Sequence, residues 1–298
     1  MIEPRRLLEL HATDRHTYGE ADSRLYALSV GFCADPKDAA ELPFVGGVSE
    51  RKAVPTMATT FARVVLELTK ACQLSRPELA LHAEQRLEML GLLRPADDLL
   101  ITARVTAVYD RGAKGALIHM TADSARAADG TPVCRATYVT LARADGGFGG
   151  EPPPPAAPSE TGPLGRPDWT WRYATRPDQA LLYSLNGDPN PIHVDPAAAR
   201  RAGFDRPILH GLCTYGIACR ALLACCCDYV PSRMRRFDAR FSAPVVPGDT
   251  LVVDIRRADG GLRFEVRAEE RATVVLKHGL CVVDGSTPAE RRSVGKEQ

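Results

Sequence analysis

Apolar residues recur with two periods along this chain, and the same arrangement of periods occurs twice. Strict alternation in Leu100-Ile-Thr-Ala-Arg-Val-Thr-Ala-Val108, and again from Val252-Val-Asp-Ile-Arg256 onward, predicts half-buried antiparallel strands. A turn and a further strand pair follow each run: residues 115–122 and 133–142 in the first case, 261–269 and 273–283 in the second. Ahead of each meander stands a Tyr-x-Leu helix, within residues 22–31 and 178–187. Each helix leads through a loop to Ala34-Asp-Pro36 or Val194-Asp-Pro196 and a new helix. Pro95-Ala-Asp-Asp-Leu99 and Pro247-Gly-Asp-Thr-Leu251 open the two meanders in similar letters. The chain thus reads as an α+β duplication, helix first and then a meander of strands, made twice.

The copies are separated where Gly146-Gly-Phe-Gly-Gly150, flexible by composition, runs into the stiffer Glu151-Pro-Pro-Pro-Pro-Ala-Ala-Pro158. This gives an N-terminal repeat over 1–148, a linker over 149–166, a C-terminal repeat over 167–285 and a polar, disordered tail over 286–298. Composition narrows the partners. A formal charge of +1, from 38 basic and 37 acidic side chains, offers no footprint for nucleic acid or a membrane surface. Nine cysteines without a C-x-x-C pair read as reduced, buried small hydrophobes. With no signal-like apolar run, no membrane-length stretch and no peroxisomal or endoplasmic-reticulum address at the C-terminus, the expected location is cytoplasmic.

The candidate chemistry lies in one loop. Tyr183-Ser-Leu-Asn-Gly-Asp-Pro-Asn-Pro-Ile-His-Val-Asp-Pro196 sets a carboxylate, Asp188, and an imidazole, His193, on a turn-rich bend. Pro207-Ile-Leu-His-Gly-Leu212 then opens a long apolar helix, Leu212 to Cys226. Two titratable groups on a bend suit proton transfer, and a helix-opening glycine, Gly211, offers an N–H where negative charge develops. Each residue also has a structural reading. Asp195-Pro196 is an N-cap with proline at N1, ended by Gly203. Asp188 fits a turn, and His210 orders the start of the helix or lines a pocket. The spacing of Asp188, His193, Asp195 and His210 matches no zinc pattern, so no metal is expected. The first copy is three residues shorter here: Tyr26 to Asp35 spans nine positions and Tyr183 to Asp195 twelve. Phe32 and Cys33 stand where the second copy carries the Asp188–His193 cluster, so one chemical site per chain is expected, in the second copy.

Residues 183–196 and 203–214 together resemble the signature of the MaoC-like, (R)-specific enoyl-CoA hydratases (hydratase type 2) in their two-half form. Leu25-Tyr-Ala-Leu28, Asp35-Pro-Lys-Asp38, Leu81-His-Ala-Glu-Gln85 and residues 240–249 extend the resemblance along most of the chain. It implies a double hot-dog fold, antiparallel sheets each wrapped around a helix. It also implies hydration of a trans-2-enoyl-CoA to a (R)-3-hydroxyacyl-CoA, or the reverse dehydration. By the same resemblance Asp188, His193, Asn190 and Gly211 are catalytic. His82, Ala83, Arg111, Pro189, Pro191, Ile192, His210 and Phe241 contact the acyl group or coenzyme. Coenzyme A enters only as part of the substrate, no metal or redox cofactor is needed, and a homodimer is expected. Three departures from the family pattern stand out. Ala83 replaces a glycine, Arg111 a lysine, and Phe44-Val-Gly-Gly47 lacks a glutamate that relatives carry, which implies an altered acyl preference. The rival readings are a hot-dog acyl-CoA thioesterase and a non-catalytic acyl-CoA binding protein.

Overall fold

The computed structural model describes residues 2–46, 50–61, 63–155, 165–188 and 190–284. Ten strands form one sheet, all neighbours antiparallel, in the order β1-β3-β4-β5-β2-β7-β10-β9-β8-β6. The first copy supplies β1 (His11–Tyr18), β2 (Ala80–Met89), β3 (Asp97–Asp110), β4 (Ala116–Arg126) and β5 (Pro132–Ala142). The second supplies β6 (Trp169–Ala174), β7 (Met234–Phe241), β8 (Thr250–Ala258), β9 (Gly261–Ala268) and β10 (Thr273–Val283). Read outward from the β2–β7 seam, each copy has the same order: second strand, fifth, fourth, third, first. The seam pairs Glu84 with Arg240 and Leu87 with Phe237, so the two copies are hydrogen-bonded into one sheet over a continuous core. This is the double hot-dog architecture expected from the resemblance.

The predicted meanders match β3–β5 and β8–β10 to within a few residues. The expectation that each copy begins with its Tyr-x-Leu helix needs correction, because an edge strand precedes that helix in both copies, and in the first a short helix, Pro4–Leu8, precedes the strand. β1 hides because its sequence, His-Ala-Thr-Asp-Arg-His-Thr-Tyr, carries almost no apolar residues and only Tyr18 is buried; edge strands are stabilised by pairing more than by burial. A second correction concerns residues 34–41. No helix starts at Pro36. Asp35 closes a turn on the Lys37 N–H at 2.9 Å, Asp38 takes that of Ala40 at 3.0 Å, and a four-residue helix follows only at Leu42–Val45. The glycine run is also not loose, since Asp110 accepts hydrogen bonds from the N–H groups of Gly147 and Gly149, each at 2.7 Å. Residues 156–164 of the linker, Gly47 and the tail lie outside the described residues.

The central helix, Gly211–Cys226, is buried without interruption from Cys213 to Leu223. Its hydrophobicity all round follows from that position: the sheet covers one side and the first copy the other. Gly216 sets the approach, because a Cβ there would stand 2.5 Å from Val30 Cγ1 and 2.7 Å from the Tyr26 hydroxyl. A buried ion pair fastens the same helix to the first copy. The Arg220 guanidinium donates to Glu41 at 2.6 and 3.0 Å and lies against the rings of Phe32, Trp171 and Tyr173. The cysteines are free thiols, and all but Cys33 and Cys225 are buried.

Candidate active site

The loop that carries Asp188 is bent by its own side chains. Gly187, at φ +94°, ends the helix Gln179–Ser184 in the left-handed region that glycine enters without cost. Asp188 Oδ1 then accepts the Asn190 N–H at 3.0 Å, an Asx turn. Asn190 Oδ1 accepts from Ile192 N at 3.3 Å and so caps a short 3-10 turn, Pro191–His193, on which His193 rides. Asp195 caps the next helix, Pro196–Arg201, by accepting the Ala197 N–H at 2.8 Å. Three consecutive side-chain hydrogen bonds to the backbone thus hold the bend.

His193 is buried and its Nδ1 lies 2.8 Å from the Ile208 carbonyl. Because a carbonyl only accepts, Nδ1 carries the proton and Nε2 is left as a lone-pair acceptor. Burial is the main influence holding this imidazole below the usual histidine range, against the opposing pull of the Ile208 bond and of Asp188. At neutral pH it is therefore an uncharged base. His210, immediately before the central helix, stacks on it with ring centres 3.8 Å apart and planes inclined by 28°. Tyr183 packs on His210 at 4.9 Å, and Tyr26 of the first copy on Tyr183 at 6.1 Å. Asp188, His193 and His210 each offer one ligating atom, all within 4.8 Å of one another.

Gly211 opens the central helix, so its N–H has no acceptor within the helix and points out at the positive end of the dipole. A Cβ at this position would stand 3.0 Å from two ring carbons of Phe241, so a larger residue would have to displace that ring by a few tenths of an ångström. Phe241 in turn packs on His82, with ring centres 4.8 Å apart, and His82 on Tyr138 at 5.7 Å. Burial pushes His82 down to about 4, so it too is neutral. Ala83 is the extra residue of a bulge in β2, where the register with β5 shifts between His82 and Glu84. The structure therefore brings Asp188, Asn190, His193, His210 and Gly211 together, and joins Phe241 and His82 to them. Pro191 and Ile192 belong to the 3-10 turn, and Ile192 lends its carbonyl to the Ile208 N–H at 3.4 Å. Arg111 stands apart on the exposed turn between β3 and β4, with no contact to the Asp188–His193 pair among the described residues. Pro189 lies outside the described residues. Sequence reasoning missed the Ile208 carbonyl, a backbone group without any residue signature, and the ring of Tyr183, which was inside the motif but had no assigned role.

Comparisons with known proteins identify the family to which the chain belongs. The family described as MaoC like domain matches residues 159–278, and the one described as MFE-2 hydratase 2 N-terminal domain matches residues 16–144. The chain is similar to a Dictyostelium discoideum protein named probable enoyl-CoA hydratase 2, with 34% identity over 272 residues, 88% of this chain and 90% of that one. Among solved structures it is similar to a MaoC-like dehydratase from Phytophthora capsici, with a TM-score of 0.85 and 28% identity over 95% of this chain and 98% of the other. It is also similar to the full-length peroxisomal multifunctional enzyme type 2 from Drosophila melanogaster, with a TM-score of 0.76 and 32% identity over 92% of this chain. This chain spans about half the length of that larger protein, 48%.

Proposed function

Because the chain belongs to the hydratase 2 family of MaoC-like dehydratases, we propose that it catalyses reversible hydration of trans-2-enoyl-CoA thioesters to (R)-3-hydroxyacyl-CoA. The observation that carries the reading is the tautomer of His193. With Nδ1–H committed to the Ile208 carbonyl, Nε2 accepts a proton from a water that Asp188 also holds. As the water oxygen bonds to C3, one of its O–H bonds breaks, the C2–C3 double bond opens and negative charge moves to the thioester oxygen. The Gly211 N–H meets that charge, a contribution of about 3 kcal/mol to the barrier for a typical oxyanion donor. The proton taken from water passes through the Asp188–His193 pair to C2, and the pair titrates as one unit. Nothing in these steps calls for a metal or redox cofactor; coenzyme A leaves as part of the product.

In this reading residues 167–285 carry the chemistry, and residues 1–148 shape the acyl pocket through His82 and Ala83 and meet the coenzyme through Arg111. A cytoplasmic location and a homodimer complete the proposal. Free thiols suit a reducing compartment, and the dimer rests on the family resemblance alone. Among the described residues no helix is long and apolar enough to cross a membrane. The test is to mix the protein with crotonyl-CoA and longer trans-2-enoyl-CoAs and follow the enoyl absorbance, with chiral analysis of the product. Loss of absorbance with (R) product supports the reading, whereas release of free thiol with the double bond intact replaces it with a thioesterase. Cell fractionation and sedimentation test location and dimer.

A further inference from the structure

Among the described residues, the polar atoms buried without a hydrogen-bond partner include four on three side chains: both ring nitrogens of His210, which stacks on His193, the hydroxyl of Tyr183, which packs on His210, and the hydroxyl of Thr214 in the first turn of the central helix. His210 is 1% exposed, Tyr183 2% and Thr214 2%. Leaving a buried polar group unpaired costs on the order of 1–3 kcal/mol, so a cluster of them marks a place where a polar ligand is received. The geometry says which. Three atoms mutually within 4.8 Å all lie within about 2.8 Å of one interior point, which is hydrogen-bond distance for a single oxygen.

We propose that His210 is a third catalytic group on the reacting oxygen, donating a hydrogen bond to the water that Asp188 and His193 accept from. This rests on the hydration reading given above. The bookkeeping of the water molecule is complete: its two protons point at Asp188 and at His193 Nε2, one lone pair accepts from His210 N–H, and the other is left to attack C3. No bond to His210 forms or breaks. Its role requires that it stay uncharged beside His193, since an imidazolium would repel the proton that His193 must take up. Burial and the neighbouring His193 push it down to about 3, which keeps it neutral wherever the enzyme works. In the dehydration direction the same N–H holds the 3-hydroxyl oxygen of the substrate. His210 therefore reads the 3-hydroxyl and not the acyl chain.

The test uses the whole chain carrying His210→Phe, which keeps a ring stacked between His193 and Tyr183 but removes the donor, and His210→Gln, which restores a neutral N–H. Crotonyl-CoA kinetics, melting temperature, and inhibition by (R)-3-hydroxybutyryl-CoA and by butyryl-CoA are measured for each. The expectation is a folded His210→Phe protein whose kcat falls about 100-fold, in the range seen for loss of one transition-state donor, with KM little changed. His210→Gln should recover to within about tenfold of wild type. Binding of the hydroxylated product should weaken about tenfold in His210→Phe, as loss of one hydrogen bond implies, with butyryl-CoA unaffected. Wild-type kcat in His210→Phe overturns the assignment. Equal loss in both variants, or equal weakening of the two inhibitors, also overturns it by assigning the residue to packing. If wild type hydrates no trans-2-enoyl-CoA, the parent reading falls and this role with it.

Discussion

The loops at residues 31–38 and 187–197 are the same structure up to the point where chemistry begins. Each follows a helix that ends on a left-handed glycine, Gly31 at φ +90° and Gly187 at φ +94°. Each finishes on an Asp-Pro whose carboxylate takes the N–H two residues on, Asp35 to Lys37 at 2.9 Å and Asp195 to Ala197 at 2.8 Å. Between those fixed points the first loop is short and turns inward. Phe32 packs on Phe44 and beneath Arg220, and the Cys33 N–H is spent on Glu41 at 2.6 Å. The second loop has three more residues, enough for a 3-10 turn that sets His193 near Asp188 and against His210. Duplication thus supplied two scaffolds, of which one serves as a clasp and the other, in the proposed reading, as the site. The central helices diverge likewise: the second copy has one unbroken helix, whereas the first has a 3-10 segment, Pro55–Thr60, before Arg63–Ala71.

The comparison breaks first at the pair itself. Asp188→Asn and His193→Ala should each lower kcat by about 10²–10⁴, the usual yield of general acid–base catalysis, with circular dichroism and melting unchanged; near-wild-type turnover in either would leave the two loops chemically equivalent. The clasp should fail differently. Glu41→Gln leaves the buried Arg220 charge uncompensated, and removing one partner of a buried pair costs about 3–5 kcal/mol. Denaturant melts should show that loss while kcat of the remaining folded enzyme stays within about threefold. Gly211→Ala should cost about tenfold in kcat by displacing the oxyanion N–H against Phe241, and Phe241→Leu in the same chain should restore part of it, which a double-mutant cycle would read out.

Acidification sharpens the contrast more gently. Burial is the largest cause lowering His16, His82, His119, His193 and His210, so each has a folded value below its unfolded value near 6.5. Unfolded chains then bind more protons as pH falls below about 6.5, and stability drops by up to about 1.4 kcal/mol per pH unit for each such group until its folded value is reached. Urea midpoints should fall from pH 7 to pH 5, less steeply in His210→Phe. The smallest effect is expected at Cys33→Ala, which removes a thiol that burial raises above its ordinary value but leaves the backbone bond to Glu41 intact. Hydration should change by less than about twofold.

Legibility followed the physics of each feature. The meanders were readable because a half-buried strand must alternate, as Leu99, Ile101, Ala103 and Val105 do in the interior. The loop was readable because glycine, proline and Asx caps act over two or three residues. β1 was not, since an edge strand of polar residues is held by its neighbour β3. Neither was the Glu41–Arg220 pair, whose partners are 179 positions apart.

By itself, then, the sequence determined the duplication, the strands of each meander, the bend at Asp188 and the restriction of the Asp188–His193 pair to the second copy, because these depend on residues close together in the chain. Only the tertiary structure decided that β2 and β7 join the copies into one sheet, that the Ile208 carbonyl sets the tautomer of His193, and that His210 lies against its face. Those are relations across fifteen to more than a hundred residues, fixed by packing around one helix, and no local pattern encodes them.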